Sequence, residues 1–203
     1  MKKIVKVCGM TEARNIRKVE QLGVDMMGFI FYPKSPRCLC QMPEYLPVAA
    51  RRMGIFVDES KENILMYADR FGLNYIQLHG KESPAYCRSL RRCGLHLIKA
   101  FPVAQPKDLR DVSAYDGLCD YYLFDTKSPQ HGGSGNLFDW NLLLCYNGST
   151  DFLLGGGINP YSAEAIRKFR HPRFAGIDIN SRFETSPGIK DTERIERFLK
   201  KLF

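Results

Sequence analysis

The sequence predicts an α/β fold, a single (β/α)8 barrel of the TIM-barrel class, on three observations. Short, β-rich apolar runs alternate with helix-compatible stretches from one end of the chain to the other. Eight such runs occur, and their apolar residues are continuous rather than alternating, as expected of parallel strands covered on both faces. Finally, 203 residues accommodate eight strand–helix units with about five residues per connection and leave no room for a second domain, so residues 1–203 read as one catalytic barrel. A doubly wound open sheet is the competing architecture. It usually has fewer strands, and no G-x-G-x-x-G follows the first run.

In chain order the expected strands are 4–7, 26–31, 53–57, 75–78, 96–101, 121–124, 152–154 and 174–179. The helices between them are expected at 12–22, 43–50, 61–71, 84–93, 106–115, 140–146, 162–169 and 192–202. The stretch at 43–50 is a poor helix, with proline at both 43 and 47.

Composition narrows the function classes. Hydrophobic residues make up 44% and charged residues 26%, the balance of a globular domain rather than of a disordered or fibrous chain. No apolar run approaches the ~20 residues that cross a bilayer, and Met1-Lys2-Lys3 is not followed by a signal-peptide core, so no membrane partner is expected and the cytoplasm is the expected compartment. Seven cysteines without a C-x-x-C pair argue against a disulfide framework and a zinc site. The net charge of +8 invites a nucleic-acid reading. Its basic residues, however, are dispersed near helix ends, where the helix dipole and solvation favour cations anyway, so no nucleic-acid partner is expected.

Barrels of this class place their chemistry at the C-terminal ends of the strands. There the sequence sets Cys8-Gly9, Ser35-Pro36-Arg37, His79-Gly80, Asp125-Thr126, Gly155-Gly156-Gly157 and Asp178-Ile179-Asn180-Ser181. The two last segments follow the seventh and eighth strands, where many barrels grip a phosphate with backbone amides, so Gly156, Gly157, Asn180 and Ser181 are the expected phosphate site. Strand parity adds a pairing. If Cys8 faces the barrel axis, so do Lys6 and Ile4, and closure of the barrel brings Asp178 within reach of Lys6; the alternative is a Lys6 that snorkels outward between helices. The segment Gly132-Gly133-Ser134-Gly135 suggests a loop that folds over a ligand, or a plain flexible linker.

These segments together resemble one family, phosphoribosylanthranilate isomerase. The matching motifs are Lys6-Val7-Cys8-Gly9-Met10-Thr11, Gly28 to Arg37, Gly54-Ile55-Phe56-Val57-Asp58, Gln77-Leu78-His79-Gly80, Phe124-Asp125-Thr126, Gly132 to Gly135 with Phe138-Asp139-Trp140, Gly155 to Pro160, and Gly176 to Ser181 with Pro187-Gly188-Ile189-Lys190-Asp191. They run nearly the whole chain in the expected order.

The resemblance implies an isomerase of tryptophan biosynthesis that carries out the Amadori rearrangement of N-(5-phosphoribosyl)anthranilate, a phosphorylated small molecule, without a cofactor, as a monomer or homodimer. It implies Cys8 as general base and Asp125 as general acid, with Arg37 near the anthranilate carboxylate and His79 and Asp178 contributing to substrate binding. Positive surroundings would enlarge the thiolate fraction of Cys8, and a dry barrel mouth would keep Asp125 protonated. Cys8 is further expected to be reachable by small alkylating reagents, and Cys87, Cys93, Cys119 and Cys145 to react slowly. Three positions depart from the family pattern: Arg182 where glycine is common, Asn180 where serine is usual, and Asn136 where lysine or glutamine is common.

Two other phosphate-binding barrels fit less well. Indole-glycerol-phosphate synthase would be expected to place catalytic lysines at strand ends. Ribulose-phosphate epimerase needs a metal cluster that histidines 79, 96, 131 and 171 do not supply.

Overall fold

The computed structural model describes residues 3–126 and 139–203. Eight parallel strands close into a barrel in sequence order: β1 (Ile4–Val7), β2 (Met26–Ile30), β3 (Arg51–Phe56), β4 (Tyr75–Leu78), β5 (His96–Val103), β6 (Tyr121–Thr126), β7 (Phe152–Leu154) and β8 (Phe174–Ile179). Closure is made by β1 against β8, with Lys6 opposite Asp178 and Val7 opposite Ile179. All eight expected strands are present, with β3 and β5 a little longer than their apolar cores.

Two apolar clusters follow from strand parity. Cys8, Met26, Met53, Ile55, Ile98, Ala100, Leu123 and Leu153 pack inside the barrel, with Ile4 against them. Val5, Val7, Phe29, Phe56, Tyr122, Phe124, Phe152 and Ile177 point the other way, into the layer between strands and helices. A fully buried side chain of this size contributes roughly 1.5–3 kcal/mol, and the outer layer supplies most of them.

The helices are α1 (Ala13–Glu20), α2 (Lys61–Phe71), α3 (Pro84–Arg91), α4 (Ala163–Lys168) and α5 (Thr192–Leu202). Their ends follow local chemistry. The Ser60 side chain caps α2, whose far end turns at Gly72 with φ +55°; Ser83 caps α3 ahead of Pro84; and the Asp191 carboxylate accepts from the Arg194 amide to start α5. Helix α5 buries Ile195, Phe198 and Leu202, one stripe at helical spacing.

Three expected helices are absent as such. Residues 43–50 form bends, because Pro43 and Pro47 lack the needed donors and the amides of Val48, Ala49 and Ala50 all donate to Glu20 Oε1 at 2.7, 2.6 and 3.1 Å. Residues 106–115 make two 3-10 turns, Pro106–Leu109 and Val112–Tyr115, and residues 140–145 make another, Trp140–Cys145, short enough to close with i to i+3 bonds. A hairpin not foreseen from the sequence, β9 (Glu184–Ser186) and β10 (Ile189–Lys190), turns at Pro187-Gly188 with Gly188 at φ +88°. Asn15 of α1 pins it by exchanging two bonds, of 2.7 and 2.8 Å, with the Lys190 backbone. The loop expected at Gly132–Gly135, and Asn136 with it, lie outside the described residues.

Candidate active site

At the C-terminal mouth of the barrel, one cleft is lined by Cys8, Arg37, His79, Asp125, Gly156, Gly157, Asp178, Asn180 and Ser181. These are the site residues singled out from the sequence, brought together by strand order. Ile30, Ile55, Val57, Tyr32 and Ile158 add an apolar wall, and Ser35, Gln77 and Arg182 complete the lining.

Cys8 leaves β1 with its amide bonded to the Ile179 carbonyl at 2.9 Å. Gly9 follows at φ +75°, where a side chain would also meet Arg37 Cδ at 2.8 Å and Asn180 Oδ1 at 2.9 Å, so only glycine lets the three loops converge. The thiol is 4% exposed. Burial pushes it up, against the opposing pull of the Lys6 and Lys190 ammonium groups. The expected enlargement of its thiolate fraction is therefore not what the site provides, and neither is easy reach by alkylating reagents. The exposed thiols are Cys40, Cys93 and Cys145, two of which had been expected to react slowly.

Lys6 does face the axis. Fully buried, its Nζ donates to Asp178 Oδ2 at 2.7 Å and to Gln77 Oε1 at 2.8 Å. Burial works against its charge, yet Asp178, with Cys8 and Asp125 beside it, outweighs burial and holds the ammonium above its ordinary value. The other carboxylate oxygen of Asp178, Oδ1, is buried and hydrogen-bonds to no group among the described residues. It is a ready acceptor in the cleft for a hydroxyl.

Arg37, expected near the anthranilate carboxylate, is held by Glu184. Its Nε donates to Glu184 Oε1 and Oε2 at 2.9 and 3.0 Å, and Nη2 donates to Oε2 at 2.7 Å. Lys190 donates to Glu184 and, at 2.7 Å, to Asn180 Oδ1. Burial opposes the Glu184 charge, but Arg37 and Lys190 outweigh it and keep the carboxyl below its usual range. The hairpin thus anchors Arg37 through the Glu184 carboxylate and Asn180 through the Lys190 ammonium.

Gly156 and Gly157, at φ +73° and +75°, are backbone that a side chain would strain, and they turn the chain after β7 toward the cleft opposite Asn180 and Ser181. On the far wall, His79 Nε2 stands 3.6 Å from Asp125 Oδ2, with these side chains 23% and 27% exposed. Burial, with Lys6 and Lys99 adding to it, pushes the imidazole down to about 4, so His79 is neutral near pH 7.

A family model for N-(5'-phosphoribosyl)anthranilate (PRA) isomerase matches residues 5–201. The chain belongs to the phosphoribosylanthranilate isomerase family. An N-(5'-phosphoribosyl)anthranilate isomerase from Phocaeicola vulgatus is 52% identical over 199 residues, covering 98% of this chain and 97% of the relative. Among solved structures, the phosphoribosyl anthranilate isomerase of Thermotoga maritima superimposes with a TM-score of 0.86 at 34% identity, over 99% of this chain and 98% of its own. A phosphoribosyl anthranilate isomerase in complex with reduced 1-(o-carboxyphenylamino)-1-deoxyribulose 5-phosphate gives 0.84 at 32%, over the same shares. The protein is accordingly an isomerase of tryptophan biosynthesis.

Against that family pattern, the two departures that can be placed fall at one end of the cleft. Asn180 uses its side chain to accept from Lys190, and Arg182 joins Ser181 in the lining. Sequence reasoning missed Gln77 in the lining, and Glu184 and Lys190 as the groups that hold Arg37 and Asn180. Parity carried the signal for Gln77, two residues before His79 on the same strand face. Glu184 had none, because its partners lie 147 residues earlier and 6 later. Among the described residues no helix is long and apolar enough to cross a membrane.

Proposed function

We propose that the cleft converts N-(5-phosphoribosyl)anthranilate to 1-(2-carboxyphenylamino)-1-deoxy-D-ribulose 5-phosphate by acid–base catalysis, with Asp125 as acid and Cys8 as base and without metal or cofactor. The carrying observation is that Asp125 on β6 and Cys8 at the end of β1 line one cleft, between an apolar wall and the glycine and Asn-Ser loops.

Asp125 gives its proton to the ribose ring oxygen as the C1–O bond breaks and the anilino nitrogen forms an iminium with C1. Cys8, as thiolate, removes the C2 proton; the electron pair neutralises the iminium, and the resulting enamine-enol tautomerises to the ketose. Burial disfavours the thiolate in the resting site, so Lys6 and Lys190 are the groups that make it accessible. Gly156, Gly157, Asn180 and Ser181 hold the phosphate, joined by Arg182 as a further cation. Ile30, Ile55 and Val57 receive the aromatic ring, and the remaining donor capacity of Arg37 meets its carboxylate. Asp178 Oδ1 accepts from a ribose hydroxyl, and His79 borders the acid. The reading places this activity in one catalytic domain, residues 1–203, acting in the cytoplasm as a monomer or homodimer.

A fluorescence assay that follows loss of phosphoribosylanthranilate tests it. Purified protein should consume the substrate, and Cys8→Ala should abolish turnover while substrate still binds. Wild-type turnover in Cys8→Ala would remove Cys8 from the mechanism.

A further inference from the structure

We infer that Gln77 is a positioning residue that fixes the tautomer of His79, so that a neutral imidazole presents its Nε2–H to Asp125 Oδ2 and stabilises the carboxylate left when the acid gives up its proton. The inference rests on the proposed role of Asp125 and extends it to a chain of side chains running from β1 to β4 to β6.

Each link follows from donor and acceptor inventory. The Lys6 ammonium can only donate, so the Gln77 atom 2.8 Å from its Nζ must be the carbonyl oxygen. That fixes the amide, and Nε2 of Gln77 is the atom facing His79 Nδ1, at 2.9 Å. An amide NH2 can only donate, so Nδ1 must accept and carries no proton. The remaining imidazole proton then sits on Nε2, the nitrogen 3.6 Å from Asp125 Oδ2. That separation is longer than a hydrogen bond, and such contacts often tighten only when the reacting complex forms.

The chemistry explains why the arrangement is useful. An imidazolium in this place would pair with an ionised Asp125 and take away the proton that the acid must deliver. A neutral N–H leaves the protonated acid intact and becomes a strong donor once the carboxylate appears, an interaction made in the transition state and only weakly before it. Lys6 is the fixed cation at the origin of the chain, and it is itself anchored by Asp178 at 2.7 Å.

The test combines nitrogen-15 NMR of the histidine rings with kinetics. In the wild-type protein at neutral pH, His79 should show an unprotonated Nδ1 and a protonated Nε2. An Nδ1–H tautomer or an imidazolium there would overturn the proposal without any variant.

In Gln77→Glu, the new carboxylate accepts from Lys6 and from His79, so the His79 proton should move to Nδ1 or the ring should become charged. We expect kcat to fall about 100-fold, the low end of what losing one transition-state donor costs, with KM nearly unchanged. Gln77→Met, which keeps length but makes no hydrogen bond, should fall in between.

A reversed tautomer with wild-type kcat would defeat the proposal. So would a KM rise that accounts for the whole loss. In an Asp125→Asn background, Gln77→Glu should cost little more, because both act on one step. If Asp125→Asn alone were harmless, the general-acid reading would fail, and the NMR result would still report whether Gln77 sets the tautomer.

Discussion

The two walls of the cleft solve opposite electrostatic problems. On the β8–β1 side, Cys8 is nearly sealed from solvent and has Lys6 and Lys190 nearby, both buried. On the β4–β6 side, Asp125 keeps about a quarter of its side-chain surface and faces a histidine held neutral. The cation nearest that second wall on β5, Lys99, is turned away, donating to the Leu78, Gly80 and Ala100 carbonyls and to Glu82 at 2.8–3.2 Å. The proposed base, which must become an anion, is set among ammonium groups. The proposed acid, which must keep its proton until needed, is set beside an uncharged donor. The difference shows that one barrel mouth can hold a buried thiol among tied-down cations and, across the cleft, a carboxyl beside a neutral imidazole.

Breaking the cationic wall should have the largest effect. Lys6→Met strands the Asp178 carboxylate in the interior beside an unsatisfied Gln77 oxygen, and denaturant unfolding should show a loss of about 3–5 kcal/mol together with reduced turnover. A midpoint equal to wild type would mean that the Lys6–Asp178 pair carries no such burden.

On the opposite wall, Asp125→Asn should lower kcat at least ~100-fold, equivalent to about 2.7 kcal/mol, with KM little changed. Steady-state kinetics giving near-normal kcat would take Asp125 out of the reaction.

His79 makes the contrast visible in stability. An unfolded histidine takes up a proton near pH 6.5, whereas the folded one resists until about pH 4. The unfolded chain therefore binds the extra proton across that window, and stability should be full above pH 6.5 and fall as pH drops toward 4, by about 2 kcal/mol after discounting for partial exposure. The slope should flatten in His79→Gln. An unchanged slope would mean that other groups dominate.

The smallest effect concerns the thiols. Iodoacetamide should label Cys40, Cys93 and Cys145 first, with little loss of activity, and Cys8 later, in step with inactivation. Peptide mapping that found Cys8 labelled first would contradict the dry environment assigned to its wall.

What the sequence by itself determined were the local and periodic features: eight continuous apolar runs, the starts of the helices at 61, 84 and 192, and the cluster of reactive residues at strand ends. These depend on neighbours within a few positions; strand parity tied Lys6 to the direction of Cys8 but left an outward Lys6 open, which the closed barrel decided. The helix expected at 43–50 went astray because Glu20 takes its last amides, and those expected at 106–115 and 140–146 close as 3-10 turns instead.

Only the tertiary structure decided how the charges combine. Arg37 finds Glu184 across 147 residues, Lys190 finds Asn180 through a hairpin, and Lys6 orients Gln77 across 71. Burial at Cys8 reversed the expectation for its thiol. A chain position specifies which atoms a side chain brings, but its pKa and its bonding partner are set by what the closed barrel packs around it, and water is excluded only once all eight strands are in place.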